Sequence, residues 1–155
     1  MKKLLLIFFF IFSVSSVFAQ NDDRLSSAYL IINTASTSSD SIRITRRSIH
    51  TDSVHQSPTI IFRIRSSRNH ISEDFIHANY KNDPEQMAIQ TLAISVLPDL
   101  NPVDLNKLLS RSNRKSFRNF CLNLRDKTIY IIDRNDINAS TFKAIEVKHI
   151  RHLKY

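Results

Sequence analysis

Apolar and polar residues alternate along three segments in the first half of the chain. Segment 28–33 is a short apolar run, whereas 41–46 and 59–65 carry isoleucine or phenylalanine at every second position, with polar residues between. Alternation with a period of two is typical of a strand with one buried face. The polar stretches 34–40 and 48–58 favour loops. We therefore predict three strands in an antiparallel meander.

The middle of the chain changes to a helical pattern. Ser72 is suited to cap a short helix over 73–80. Asp83-Pro84 is typical of a helix start, because proline is tolerated at the first helical position, and this helix should continue to about Leu97. A third helix is expected from Asn101 to Arg111.

The C-terminal part returns to strands. Segment 128–133 is apolar on both faces, which is typical of an interior strand, and 143–148 alternates again. The closing residues 149–155 are compatible with a continued strand or a helical turn. The fold class expected for 28–155 is one α+β domain. Its antiparallel sheet, an N-terminal meander plus C-terminal strands, should pack against two or three central helices.

The start of the chain has the three zones of a secretory signal peptide. Lys2 and Lys3 precede an unbroken apolar run over 4–12, and Val17-Phe18-Ala19 suits a signal peptidase. We predict cleavage after Ala19, a flexible leader over 20–27, and a periplasmic or secreted protein.

A retained membrane anchor is the alternative for the same segment. A spanning helix requires about 20 apolar residues, and Ser13, Ser15 and Ser16 interrupt this run. Cleavage is therefore favoured, and no transmembrane segment is expected after it.

Charge and cysteine content narrow the possible partners and the sources of stability. The chain has 22 Lys and Arg against 14 Asp and Glu, and loss of Lys2 and Lys3 would leave a net charge of +6. This excess favours acidic partners, although it also simply promotes solubility.

Cys121 is the only cysteine, so no internal disulfide is possible. It is either a buried apolar residue or pairs with another molecule.

Absence of glycine excludes several enzyme motifs. The phosphate-binding loop, the dinucleotide fingerprint and the nucleophile elbow all need glycine, and the chain has none. Tight turns should use asparagine and aspartate instead, as at 82–83 and 135–136, because these residues tolerate left-handed backbone.

The segment 111–127 concentrates positive charge around phenylalanines. It is the predicted binding site for an acidic partner, although an exposed connection with phenylalanines facing the core is the simpler alternative. Export argues against a nucleic-acid partner. The candidate ligand-binding residues are Arg111, Arg114, Lys115, Arg118, Arg125 and Lys127.

Histidine spacing supports no metal or catalytic motif. The helical two-histidine motif of zinc peptidases is absent from the sequence. His149 and His152 would share a face on a helix but not on a strand, and no further ligand is spaced beside them. We assign no catalytic residue, no metal and no cofactor. A serine hydrolase assembled across the fold remains an alternative.

One segment near the C-terminus carries a family resemblance. Tyr130-Ile131-Ile132-Asp133 ends a strand in aspartate, and Phe142-Lys143-Ala144-Ile145-Glu146-Val147 follows a polar turn. This resembles the strand–turn–strand signature of the plug domain in bacterial TonB-dependent receptors and related small exported proteins. Arg134 stands where that family usually has glycine. The resemblance implies a small envelope domain that contacts proteins or a ligand, with no catalytic residues to transfer.

The leading functional hypothesis is a non-enzymatic exported domain that binds a partner protein or ligand in the bacterial cell envelope. The alternatives are a small secreted hydrolase and a binder of acidic polymers through 111–127. The oligomeric state and the partner's identity do not follow from the sequence.

Overall fold

The computed structural model describes residues 27–34, 42–49 and 58–150. The predicted signal peptide and all of the leader except Ser27 lie outside these ranges, as do residues 151–155. In chain order the elements are β1 (Ser27–Ile32), β2 (Ile42–Ile49), β3 (Thr59–Ser66), β4 (Ile71–His77), β5 (Ile89–Ala93), a 3-10 turn (Ile94–Val96), β6 (Val103–Asp104), α1 (Leu105–Arg111), α2 (Arg114–Leu122), β7 (Thr128–Asp133), a second 3-10 turn (Arg134–Asp136) and β8 (Thr141–Ile150).

All eight strands of the described region belong to one sheet. Its order is β2-β3-β4-β8-β7-β1-β6, with β5 paired to β8. Most pairs are antiparallel, and only β1 pairs in parallel, with β6 and β7. The prediction of a mixed α and β fold with a mostly antiparallel sheet is confirmed.

The predicted N-terminal meander is wrong for its first strand. β1 does not pair with β2 but lies between β6 and β7, and the meander is formed by β2, β3 and β4 instead. Leu30, Ile31 and Ile32 are consecutive buried residues. Such a strand must be covered on both faces, and here Leu30 and Ile32 belong to one core cluster and Ile31 to the other.

The first two predicted helices are also wrong. The segment predicted as helix 73–80 is mostly strand β4, which inserts between β3 and β8. The segment predicted as helix 83–97 contains a turn at Asp83, whose carboxylate accepts from the Glu85 N–H, and then β5. Local capping signals were present, but the first segment pairs with both β3 and β8, and the second pairs with β8.

The third predicted helix is confirmed with a later start. Its first helical residue is Leu105, because the Asp104 carboxylate accepts from the Lys107 N–H at 3.0 Å and so caps the helix. A further helix, α2, lies within the basic segment, to which the sequence had assigned no element. Asn113 caps α2 by accepting from the Ser116 N–H at 2.9 Å.

Two apolar clusters form the core. The larger one combines the inward residues of β2, β3 and β4 with buried residues of both helices, among them Leu105, Leu109 and Phe117. The smaller one contains Tyr130 and Phe142 together with residues of 92–100. Cys121 is 3% exposed and belongs to the larger cluster.

Both expected pairs, 82–83 and 135–136, lie in turns, but neither turn uses left-handed backbone. Positive φ angles occur at His70 (51°) and Asn101 (46°), and neither 82–83 nor 135–136 shows one. The second of these pairs lies in a 3-10 turn, capped by Asp133, which needs only right-handed backbone.

At the C-terminus β8 continues to Ile150, so His149 lies on a strand. His152 is outside the described residues.

Candidate functional site

The basic segment predicted from the sequence lies on the protein surface. All six candidate residues are exposed: Arg111 ends α1, the next three lie on α2, and the last two flank the turn into β7. We call this set the helical basic surface; its members are Arg111, Arg114, Lys115, Arg118, Arg125 and Lys127.

These cations form no ion pairs with the part of the chain that the structure describes. Elsewhere arginines bind carboxylates, as Arg46 binds Asp136 and Arg134 binds Asp104 at 3.0 Å. Within residues 27–34, 42–49 and 58–150, no member of the helical basic surface forms an ion pair. Asp126 is the only acidic residue in segment 111–127. The surface therefore keeps its positive charge available to a partner.

The position of two cations on α2 is unfavourable for the helix itself. Arg114 and Lys115 occupy its first turn, which contains no acidic residue, and its last turn contains no basic one. A helix N-terminus carries partial positive charge and favours anions there. Stabilisation of the helix thus does not explain why these cations are present.

Periodicity connects the helical cations with a neighbouring cleft. Arg118 follows Arg114 by four residues and precedes Cys121 by three, so the three share one side of α2. Cys121 is buried and lines the cleft. Arg114 and Arg118 therefore lie at the border of the buried side of α2, and this side faces the cleft.

The cleft lies where two strands diverge. β7 and β8 pair through Ile129 and Val147, after which β8 continues along β4 while β7 begins at Thr128. The space between them and the end of α2 has a volume of about 380 Å³. Apolar residues Cys121, Leu124, Ile129 and Val147 line it together with the basic residues Arg125, Lys127, Lys148 and His149.

Half of the basic lining was missed by sequence reasoning. Arg125 and Lys127 were predicted, but Lys148 and His149 lie on β8, some twenty residues further along the chain. Only strand pairing brings them to the same cleft, so no local sequence signal identifies them. Glu73 lies 2.7 Å from the His149 imidazole, as Oε2 to Nε2, and thus holds the ring in place.

The ring of His149 is also fixed by stacking. It lies 4.8 Å from the Phe75 ring, centroid to centroid, at an interplanar angle of 26°. A histidine held by a carboxylate on one edge and an aromatic ring on one face has little rotational freedom. The cleft therefore combines one fixed side chain, His149, with the flexible side chains of lysine and arginine.

Chemically, this arrangement can hold an anion beside an apolar group. Lysine and arginine donate to carboxylate or phosphate oxygens, and the aliphatic lining accepts hydrocarbon. A second, smaller cleft of about 290 Å³ is lined by 27–30, Phe120 and Lys127, among others. Lys127 lines both clefts and thus marks the centre of this region.

The aspartate at the end of β7 is satisfied inside the fold. Asp133 is 1% exposed. Its carboxylate accepts from the Thr34 hydroxyl at 2.6 Å and from the Asn135 backbone and side-chain N–H groups at 3.2 and 3.1 Å. This cluster joins the carboxyl ends of β1 and β7. Its hydrogen bonds account for the residue structurally and leave it no free acceptor role toward a ligand.

Two histidines of the described region, His77 and His149, have partners within the fold. His77 is fully buried, and its Nδ1 lies 2.8 Å from the Glu146 carbonyl oxygen. His149 contacts Glu73 as above, and within the described ranges neither histidine hydrogen-bonds a serine. Nor do the described residues contain a group of three or more metal-binding side chains.

The segment with the plug-domain resemblance forms β7, the second 3-10 turn and β8. The two strands pair antiparallel, with Tyr130 opposite Glu146. Neither α1 nor α2 has the length and hydrophobicity of a membrane-crossing helix, and the described residues contain no other candidate. Comparison with protein-family models, with curated proteins and with solved structures returns no match to this chain.

Proposed function

We propose that this chain is an exported, non-enzymatic domain that binds an acidic protein or ligand of the bacterial cell envelope through the helical basic surface. The observation that carries the proposal is the exposure of six cations that form no ion pair with any described residue, two of them at a helix end that disfavours positive charge. Residues kept at a cost to local stability are typical of binding sites.

Anchoring of the partner is the role proposed for the cleft beside this surface. An acidic group would contact Arg125 and Lys127, while an apolar part of the same partner would enter toward Leu124. Charged contacts on an exposed rim are weak individually, so an apolar anchor would supply part of the affinity.

The fold supports this role as a rigid platform. We propose that the antiparallel sheet packs against both helices as one unit, since buried residues of the helices share a cluster with inward residues of the strands. A helix fixed at two buried positions, such as Phe117 and Cys121, would present its cations at constant spacing. Preorganised charges lose less entropy on binding than flexible ones.

Export is the second part of the proposal. It rests on the lysine-led apolar run at 1–19, with cleavage after Ala19, and on the resemblance to small exported proteins. Intact mass spectrometry of protein isolated from its native cell is the test. A mature N-terminus at Gln20 is expected, and full-length protein in the cytosol would contradict export without affecting the binding surface.

Binding is tested with a labelled polyanion. Fluorescent poly-L-glutamate is titrated with the protein and with a variant that neutralises the α2 cations, Arg114→Gln, Lys115→Gln and Arg118→Gln. The variant should bind about tenfold more weakly at low salt, and both affinities should fall as salt rises.

A matched control keeps the net charge equal. It neutralises three exposed cations away from α2, by the substitutions Arg68→Gln, Lys81→Gln and Lys143→Gln. This control should bind nearly as well as the original chain. Equal losses in the two variants would show that only total charge matters and would refute the proposed surface.

No observation favours the hydrolase alternative. The buried or half-buried histidines of the described region serve backbone and carboxylate partners. Acidic-polymer binding, by contrast, uses the same helical basic surface, and poly-L-glutamate is itself a probe of that alternative.

A further inference from the structure

The outer face of the β2-β3-β4 hairpin region carries a second concentration of positive charge. Inward side chains of these strands, such as Ile44, Phe62 and Phe75, are at most 3% exposed and form the core. Their neighbours in sequence point to the opposite face, because side chains alternate along a strand. That opposite face carries Arg43, Arg47, Arg63, Arg65 and Lys148; we call it the arginine face.

Strand pairing places like charges directly opposite each other. Arg43 on β2 pairs with Arg65 on β3, and Thr45 pairs with Arg63. Like charges opposite each other on one face destabilise a sheet. Sheet formation by itself therefore does not account for an arginine at both positions.

Only one carboxylate serves these guanidinium groups within the described ranges. Asp74 on β4 is 3% exposed, and its Oδ1 lies 2.8 Å from Arg65 Nη1 and 3.5 Å from Arg63 Nε. Arg43 and Arg47 are exposed and form no ion pair with any described residue. The arginine face thus keeps a clear excess of positive charge.

Isoleucines are interleaved with these cations. Ile61 and Ile76 are half-buried between Arg47 and Lys148 in one row across four strands. Ile49 is 44% exposed on the same face. Charged residues on an edge strand can protect it from pairing with another chain, and β2 is such a strand. This role does not explain the arginines, because half of them lie on the interior strand β3.

We propose that the arginine face binds reversibly to the surface of an anionic membrane. Its cations are spread over neighbouring strands about 5 Å apart and over alternate residues about 7 Å apart, so they do not converge on one small anion. Mobile anionic headgroups adapt to such a spacing, and exposed isoleucines enter the interface. A hydrophilic acidic polymer would gain nothing from those isoleucines.

This surface is separate from the helical basic surface. The arginine face points away from the core cluster that contains Leu105, Leu109 and Phe117, so the two surfaces lie on opposite sides of that cluster. Lys148 alone is shared with the cleft described above. Substitutions that avoid Lys148 therefore test the two surfaces independently.

The test is co-sedimentation of the purified protein with vesicles. Phosphatidylcholine vesicles containing phosphatidylglycerol are compared with vesicles of phosphatidylcholine alone. Arg43→Gln/Arg47→Gln is compared with Lys81→Gln/Lys143→Gln, which removes the same charge at exposed positions outside both basic surfaces. Each cation near an anionic surface contributes about fivefold in affinity, so the first variant should bind the anionic vesicles about thirtyfold more weakly. The second should bind them like the original chain.

Several outcomes would overturn the proposal. Equal retention on both vesicle types would show that headgroup charge is not recognised. Insertion of an uncleaved 4–12 run into the bilayer would give this result. Equal losses in the two variants would reduce the effect to total charge. Loss of poly-L-glutamate binding in Arg43→Gln/Arg47→Gln with unchanged vesicle binding would identify an acidic polymer as the partner instead. Urea unfolding of each variant confirms that the compared proteins are equally folded.

Discussion

Charge reversal at Arg114 should strengthen the fold while weakening the proposed binding. Arg114 follows the capping residue Asn113 directly and so occupies the first helical position of α2. Its positive charge faces the partial positive charge of the helix N-terminus, and Arg118 stands one turn further on. Arg114→Glu turns both unfavourable interactions into favourable ones.

The size of the effect follows from these two interactions. A charge at a helix end is worth about 0.3–1 kcal/mol, and reversal changes this contribution by about twice that amount. Replacing the repulsion between Arg114 and Arg118 by a Glu-to-Arg pair four residues apart adds about 0.5 kcal/mol or more. Because the site is exposed and screened, we expect a net gain of about 1 kcal/mol at low salt.

Urea denaturation followed by circular dichroism measures this gain. The free energy of unfolding of Arg114→Glu should exceed that of the original chain at low salt, and the difference should shrink at high salt because both interactions are electrostatic. Lys143→Glu is the matched control, since Lys143 is exposed and lies within strand β8 rather than in the first or last turn of a helix. It should change stability little.

The same variant should lose affinity for poly-L-glutamate. A gain in stability together with a loss of binding would show that Arg114 is retained for recognition rather than for folding. Lower stability of Arg114→Glu at low salt would refute the reasoning, because it would mean that Arg114 stabilises α2 through an interaction that outweighs the helix dipole.

Three further predictions concern the core and its polar groups. Asp133→Ala should lower the free energy of unfolding by about 3 kcal/mol in urea titration, because donors from Thr34 and Asn135 lose their acceptor; Asp133→Asn should lose less. Phe62→Ala removes a fully buried ring and should cost about 4 kcal/mol in the same assay, whereas Arg63→Ala on the outer face should cost much less. Burial, with smaller contributions from Glu146 and the stacked Tyr29, raises the pKa of Tyr130 above 10.0. The folded protein therefore keeps the phenol proton at pH values where the unfolded chain releases it. The contribution of this protonated phenol to the free energy of unfolding is complete below about pH 10 and is lost as the pH rises above it. Tyr130→Phe should reduce the fall in stability between about pH 10 and 12, and an unchanged fall would contradict the shift.

Positive charge in this protein is divided between a local and a non-local arrangement. The helical basic surface is contiguous in sequence, so a run of Arg and Lys between 111 and 127 was sufficient to predict it. The arginine face draws on three strands, and its residues look like ordinary solvent-facing positions in each strand taken alone. Their meeting depends on register, which pairs Arg43 with Arg65 rather than with a neighbour of opposite charge.

Strong periodicity allowed several elements to be predicted from local pattern. The strands predicted at 59–65 and 128–133 match β3 and β7 closely. Alternation is typical of a strand with one buried face, and a short unbroken apolar run is typical of a strand buried on both faces. The helix ending at Arg111 was also recognised, with its start displaced by the Asp104 cap. The export signal and the plug-domain resemblance remain predictions from the sequence.

Pairing partners were decided only by the tertiary structure. Segments 73–80 and 83–97 carry genuine helix-capping residues, yet they form β4 and β5. The long strand β8 pairs with both of them along one edge, and β3 pairs with β4 along its whole length. The bonds to β8 join residues 48 to 76 positions apart, and local propensity, worth less than about 1 kcal/mol per residue, cannot compete with them. The positive charge of segment 111–127 could be identified from the sequence alone because its residues are close together in the chain. The cleft with Lys148 and His149 depends on how β7 and β8 diverge in the folded sheet, which no local pattern specifies.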